Sequence, residues 1–258
     1  KCQQGRRTGI GITGEGDMLA ALGLRYGSPE SLDFCENLHR TLALETYRGS
    51  VELARERGAF PIYDTKREAN NPFIQRLREA DPALYEDMKK HGRRNIALLT
   101  IAPTGTTSLM TRTSSGLEPV FRIAYKRRRK VNPTDKNPNV TFVDDTGDKW
   151  EDYHVFHHAF KLWMQQNGLD PTQVAHMNSE ELQQLIEKSP WHRATAEDVD
   201  WLAKVQLQGR VQKWVDHSIS VTVNLPENAS EALIDQIYQT GWKSGCKGMT
   251  VYREGSRS

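Results

Sequence analysis

The stretch Leu98–Met110, LLTIAPTGTTSLM, with Ser114–Phe121, SSGLEPVF, close behind it, constrains the fold more than any other part of the chain. Leu98, Leu99, Thr100 and Ile101 form a short apolar run that reads as a buried strand. Pro103 and Gly105 break it, and Thr106, Thr107 and Ser108 restart the chain with hydroxyls. A strand, a small-residue turn and a helix start suit an anion. Successive N–H groups point at it, the helix dipole favours negative charge, and a glycine lets a phosphate come close to the backbone. Pro103, Thr104, Gly105, Thr106, Thr107 and Ser108 are therefore the candidate site, with the last three hydroxyls as extra donors. Gly105 is its expected critical position: a side chain there would block the approach, and the turn is expected to ask for positive φ. The same residues also allow an ordinary capped helix after a proline turn, because Thr and Ser cap helices widely.

Glycines mark a second feature. Thr8–Gly14, TGIGITG, carries Gly9, Gly11 and Gly14 in a GxGxxG pattern. A dinucleotide site needs a strand before the glycines, and Gly5, Arg6 and Arg7 leave little room for one. Glu15 and Asp17 would also put negative charge where a pyrophosphate docks. The pattern is read instead as a short strand, Gly9–Thr13, turning into a helix over Glu15–Leu22. Ser28–Gly58 reads as one long helix, with Ser28 as cap, Pro29 at the first position and Gly58 as stop. Leu32, Cys35, Leu38, Leu42, Thr46 and Leu53 are its expected buried stripe. Ala59–Asn71 reads as loop, and Pro72–Leu77 and Pro82–His91 as short helices.

Beyond the central stretch, Phe121–Tyr125 is a candidate strand, with Val140–Val143 pairing back. Lys126–Lys130, KRRRK, is read as an exposed strand end or hairpin rather than a polyanion site. Glu151–Gln166 is expected to be an aromatic helix carrying His154, His157 and His158, whose role is packing or surface rather than metal binding. Ser179–Lys188 and Thr195–Val215 read as further helices, the first capped by Ser179 and the second by a box of Thr195 with Asp198. His217–Leu225 alternates like a half-buried strand, Ser230–Ser244 is a helix, and Gly248–Tyr252 is a last strand. Strand, helix, strand at this spacing is a parallel crossover, so the fold class is α/β.

Composition sets the outer limits. The chain has 258 residues, 37% hydrophobic and 26% charged, enough for one sizeable domain. A net charge of +2 gives no general case for nucleic-acid binding, and no apolar run is long enough for a membrane helix. Cys2, Cys35 and Cys246 lack metal spacing and point to a reducing, cytoplasmic setting. A first residue Lys1 in place of Met is read as the mark of a fragment or processed product.

Taken whole, IAPTGTTSL with SSGLEPVF resembles the substrate-phosphate loop of the ribonucleotide reductase large subunit, in the wording of its adenosylcobalamin-dependent class. Arg6–Gly16 RRTGIGITGEG with Leu22–Ser28 LGLRYGS, Trp214–Leu225 WVDHSISVTVNL and Trp242–Arg253 WKSGCKGMTVYR fit the same family in the same order. The resemblance implies that residues 1–258 are the C-terminal part of a ten-stranded α/β catalytic barrel. It implies barrel strands at Gly9–Thr13, Leu98–Ile101, Ser218–Val223 and Gly248–Tyr252, and a ribonucleoside di- or triphosphate seated on Thr104–Ser108. It also implies adenosylcobalamin as cofactor, a thioredoxin-type reductant, and an upstream half of the catalytic subunit as partner. A homodimer is a further expectation, because an open barrel leaves strand edges to cover.

The chain departs from the family in one large respect. The Asn-Pro-Cys-Gly-Glu string of the radical-bearing finger loop is not in the sequence, so no catalytic residue is assigned. Cys246 is read as structural, since a catalytic thiol needs a paired thiol or a base. Thr250-Val251-Tyr252-Arg253 offers one tyrosine where transfer from a separate metal subunit needs an adjacent pair, which favours a radical made on site by the cobalamin. Two alternatives stay open: a non-catalytic half-barrel partner contributing only the phosphate loop, and an unrelated α/β enzyme with a nucleotide site at the GxGxxG pattern.

Overall fold

A computed structural model describes residues 1–136 and 138–256. In chain order the helices before the central stretch are α1 (Cys2–Gly5), α2 (Glu15–Ala21), α3 (Pro29–Arg57), α4 (Thr65–Glu68), α5 (Pro72–Ala80) and α6 (Pro82–His91). Then come α7 (Gly105–Thr111), the strands β1 (Ala124–Lys130), β2 (Phe142–Val143) and β3 (Lys149–Phe156), and α8 (His158–Gln166), α9 (Pro171–Val174) and α10 (Ser179–Glu187). The chain closes with α11 (Trp201–Gln212), β4 (Thr222–Leu225), α12 (Glu231–Lys243) and β5 (Thr250–Arg253).

The segments implied as barrel strands lie side by side and run parallel. Ile10 bridges Leu99, Ile101 bridges Ile219, and β4 pairs with β5 in register Thr222 to Thr250 through Leu225 to Arg253. The N–H groups of Thr8 and Ile10 donate to Ala97 and Leu98 at 3.0 and 2.7 Å, and Thr100 donates back to Ile10 at 2.9 Å. His217 and Ser220 continue the ladder onto Leu99 and Ile101, each at 3.1 Å. Mixed α/β architecture is thus observed, as an open parallel arc rather than a closed barrel. The first two members are shorter than expected, because Gly14 and Pro103 turn them away after a few cross-bonds. Asp216 pins the arc from below: its two oxygens accept from the Leu98 and Leu99 N–H groups at 2.8 and 2.9 Å and from the Tyr47 hydroxyl at 2.7 Å.

The glycines of the GxGxxG pattern serve this arc. A Cβ on Gly11 would stand 2.1 Å from the Thr100 carbonyl oxygen, and one on Gly9 would stand 2.9 Å from the Thr100 methyl. The close approach they permit is to the neighbouring segment, and the expected strand Gly9–Thr13 is reduced to a single bridge at Ile10 before the expected helix. Gly11→Ala is expected to destabilise by about 1–3 kcal/mol through overpacking against backbone. Urea unfolding checks this, and an unchanged midpoint would contradict the packing described.

Helix α3 begins and ends as its caps dictate: the Ser28 hydroxyl accepts from Ser31 N–H, Pro29 opens the helix, and Gly58 closes it. Its buried stripe is rotated from the expected one. Leu32, Cys35, His39, Ala43, Tyr47, Val51 and Ala54 face inward, while Leu38, Leu42 and Thr46 flank them and Leu53 is exposed. Polar residues disguised the stripe, since His39 and Tyr47 are buried against the acids Glu15 and Asp216.

Residues 121–195 depart furthest from expectation, and Ile123, Phe156, Phe160, Met164, Val174, Leu182 and Trp191 within them pack with Val120 and with Ala20 of α2 into one core. The expected helix over residues 151–166 is a strand followed by a shorter helix. Antiparallel β3 pairs with β1 on one side and with β2 on the other, so of the expected strand Val140–Val143 only Phe142 and Val143 form a strand, and they pair with β3 and not with β1. Charge decides this pairing. Lys126 and Arg128 meet Asp152, Arg129 meets Glu151, and Lys130 meets Asp148. The KRRRK run is a hairpin edge whose cations are mostly matched by the opposing strand. His154 therefore lies on a strand, His157 caps α8 and His158 begins it, and the three share no helix face.

Two helix starts also moved. Asn178, not Ser179, caps α10 in a reciprocal box with Glu181. Asp200, not Thr195, caps α11; the Thr195 N–H and hydroxyl do bind Asp198, but they close a turn before the helix. No helix among the described residues is long and apolar enough to cross a membrane.

Candidate phosphate site at the strand ends

Thr13, Ala102, Leu225 and Arg253 stand at the carboxyl ends of the four parallel segments, the side where ligands of parallel α/β folds bind. The candidate turn, residues 103–108, lies on that side. Pro103, Gly105, Thr106 and Thr107 are exposed, Thr104 is half-buried and Ser108 is buried.

The turn owes its shape to Thr104, which takes φ 48° and ψ 20° in the left-handed region. A β-branched residue there is strained and persists only when its surroundings hold it. The restraint comes from Thr13 and Gly116. The Thr104 and Thr13 hydroxyls are 3.1 Å apart, and the Gly116 N–H donates to both, at 2.8 and 3.1 Å. Gly105 itself is helical, and a Cβ on it would meet open space. The expectation of positive φ at Gly105 is thus corrected: the strain sits one residue earlier.

No side chain caps α7, and among the described residues the N–H groups of Gly105, Thr106 and Thr107 have no acceptor. They are the free donors of the turn, as helix geometry leaves them. Ser108 is not a further donor. Its hydroxyl is 2.9 Å from the Gly105 carbonyl and 2.7 Å from the Ser115 hydroxyl, which turns it inward. Pro103 adds no N–H and serves to stop the strand.

Behind the turn, Ser114 and Asp17 bind one another reciprocally: Ser114 N–H donates to Asp17 Oδ2 at 2.9 Å, and Asp17 N–H donates to Ser114 Oγ at 3.2 Å. Glu15 is fully buried against His39 Nε2 at 3.0 Å. Both acids of the glycine-rich pattern are therefore committed inward. Further along, Glu118 Oε1 accepts from Thr222 N–H at 3.1 Å, and the buried Lys204 donates to the Thr222 carbonyl at 2.6 Å. Burial lowers the Lys204 pKa from its ordinary value, opposed by nearby Glu118. A cavity of about 310 Å³ opens beside the ends of β4 and β5, lined by Phe121, Arg122, Asn224 and Tyr252 among others.

The thiols stand away from this chemistry. Cys35 is sealed in the core, and burial followed by the charge of Glu15 pushes its pKa far above the ordinary range. Burial pushes Cys246 up to about 11. Among the described residues no three His, Cys, Asp or Glu side chains stand where they could hold a metal. Sequence reasoning found the turn but missed Thr13, Asp17 and Ser114, which hold it. A strand ending in Thr13 beside a Ser-Ser-Gly segment was the available signal.

Comparison with known proteins bears on the family and the fold. The family described as "Ribonucleotide reductase, barrel domain" matches residues 1–252. A protein of Mycobacterium tuberculosis named vitamin B12-dependent ribonucleoside-diphosphate reductase is 31% identical over 98% of this chain and 32% of its own length. A protein of the same name from Thermoplasma acidophilum is 27% identical over 98% of this chain and 29% of its own. The solved structure of the Actinobacillus ureae class Id ribonucleotide reductase alpha subunit superposes with a TM-score of 0.62 at 19% identity, over 98% of this chain and 40% of that one. The chain thus spans about a third of the length of the curated relatives it matches.

Proposed function

The chain belongs to the ribonucleotide reductase barrel-domain family, and from that premise we propose that it is the phosphate-seating, C-terminal part of an adenosylcobalamin-dependent ribonucleotide reductase. The observation that carries this reading is the uncapped first turn of α7 at the carboxyl ends of a parallel arc. The N–H groups of Gly105, Thr106 and Thr107 receive the phosphates of a ribonucleoside di- or triphosphate, and the exposed Thr106 hydroxyl assists. Thr104 and Ser108 shape the turn from within, and Pro103 ends the strand beneath it.

The rest of the nucleotide extends over the ends of β4 and β5. The missing members of a ten-stranded barrel, and the cysteine that carries the radical, come from the upstream half of the catalytic subunit. Tyr252, on the last strand, shares the open cavity with Phe121 and Asn224 and with the charged Arg122, Glu197 and Glu254, and the two rings would offer a stacking face to an adenosyl group. When bound, adenosylcobalamin supplies the radical, while this chain's residues bind and orient. The reductant is a dithiol protein of thioredoxin type, and the setting is the cytoplasm. The open edges of the arc also account for a homodimer when the other half is lacking.

Gly105→Val tests the seat. Its side chain points into open space, so the melting temperature should hold or rise slightly, since Val is a better helix former than Gly. Pyrophosphate affinity should fall by roughly tenfold or more, because the side chain fills the approach to the N–H groups. Thr106→Ala should cost only about 1 kcal/mol of binding. Calorimetric titration of both variants decides. Parent-like affinity in Gly105→Val would refute the phosphate assignment.

A further inference from the structure

We propose that His157, at the junction of β3 and α8, is a positioning residue for the phosphate turn and acts through Asp17. The proposal rests on the reading of residues 103–108 as that turn, and its structural half can be measured without it.

The path is continuous. His157 stands at the junction of β3 and α8, with its N–H on the Ile123 carbonyl at 2.7 Å. Its ring Nε2 lies 2.8 and 2.9 Å from the two oxygens of Asp17. Asp17 clasps Ser114 by the reciprocal pair already described. The Ser114 carbonyl accepts from the Thr13 hydroxyl at 3.1 Å, and Thr13 meets the Thr104 hydroxyl at 3.1 Å. Gly116, two residues after Ser114, donates to Thr104 Oγ1 at 2.8 Å.

Strain gives this path its consequence. Thr104 is a β-branched residue held at φ 48°, a conformation that relaxes unless over-determined. Its restraints are Thr13 and Gly116, both placed by the Ser114–Gly116 backbone, and that backbone is placed by Asp17. A carboxylate that accepts from Ser114 and from His157 has both oxygens fixed. Without His157, one oxygen loses its partner in a site where Asp17 is nearly sealed from water, and the side chain turns to recover one. The Ser114 clasp then loosens, Thr104 relaxes, and the first-turn N–H groups no longer converge. His157 thereby sets the geometry of a turn to which it does not itself belong.

His157→Phe keeps the ring shape and removes the hydrogen bond, while His157→Gln restores a donor at the same reach. Amide hydrogen exchange at Ser108, Ser114 and Gly116, whose N–H groups are bonded to Thr104, Asp17 and the Thr104–Thr13 pair, and pyrophosphate affinity are measured on the 258-residue chain. For His157→Phe, these bonded amides should exchange roughly tenfold faster and pyrophosphate should bind roughly tenfold more weakly. His157→Gln should return both toward the parent, a rescue that a purely packing role would not give. Asp17→Asn, a smaller change should the Phe variant fail to fold, should accelerate the same amides. Unchanged exchange at Ser108, Ser114 and Gly116 in folded His157→Phe and Asp17→Asn would overturn the proposal, whatever the melting temperature does. If these amides loosen but the parent itself binds no pyrophosphate, the positioning stands and the phosphate reading fails. If the parent binds and His157→Phe binds equally well with an unchanged turn, the phosphate reading stands and the positioning fails.

Discussion

Given a ribonucleotide, adenosylcobalamin and a dithiol, the 258-residue chain alone is expected to form no deoxyribonucleotide. The family's chemistry needs a thiyl radical above the ribose, and a well-placed binding site cannot replace the absent thiol that carries it. Cys35 is sealed beside Glu15, Cys246 packs near the Val205 carbonyl, and Cys2 stands exposed in α1, far in sequence from the turn. Turnover should appear only when a segment carrying the Asn-Pro-Cys-Gly-Glu loop completes the barrel. The effect is the largest available, presence against absence, and a product assay by chromatography reads it. Turnover by the chain alone would contradict the account. A completed barrel that binds nucleotide but stays inactive would favour the reading of a non-catalytic phosphate-binding partner.

Arg93→Ala is expected to destabilise the chain by about 3–5 kcal/mol, the cost of breaking a buried ion pair from one side. The guanidinium lies over the rings of Tyr47, Phe60 and Tyr63 at 5.5, 5.3 and 5.6 Å. It holds Glu68 with both terminal nitrogens, at 2.5 and 2.8 Å, and donates to the Asn95 and Ile96 carbonyls. Its removal leaves Glu68 unpaired, two carbonyls without donors and a cavity among three rings. Arg93→Lys should recover little, because an ammonium can neither fork to the carboxylate nor stack on the rings. The denaturant midpoint checks both, and a loss under about 1 kcal/mol for Arg93→Ala would contradict the burial described.

Where the sequence was legible, local chemistry and tertiary packing agreed. Ser28, Pro29 and Gly58 bound α3 correctly because caps act within a few residues. Ser230 did the same for α12, and β4, α12 and β5 form the expected parallel crossover. Where it failed, a long-range partner outweighed the local pattern. Residues 149–156, KWEDYHVF, place aromatic and His residues at intervals that suit a helix. Their acids, however, match the cations of KRRRK only when the two runs lie antiparallel as strands. The signal was complementary charge in two separated runs, visible only when both are considered together.

The turn itself was legible from its residues, but its supports were not. Thr13 reaches it across 91 residues of sequence, Asp17 reaches the supporting Ser114 across 97, and His157 reaches Asp17 across 140. Nothing local in TGEGD or VFHHAF shows that these runs meet. The strain at Thr104 was equally hidden, since glycine beside it was the obvious holder of an unusual φ. Only the hydroxyl pair with Thr13 and the Gly116 donor explain why threonine takes that place.

The central claim is that the N–H groups of Gly105, Thr106 and Thr107 seat phosphate. Nitrogen–proton correlation spectra of the labelled chain, titrated with inorganic pyrophosphate, test it most directly. These three amides should shift together and saturate, with Gly116 responding through Thr104 and the amides of β1–β3 unmoved. Saturation elsewhere on the chain with these three amides stationary, or no saturable shift at all, would contradict it.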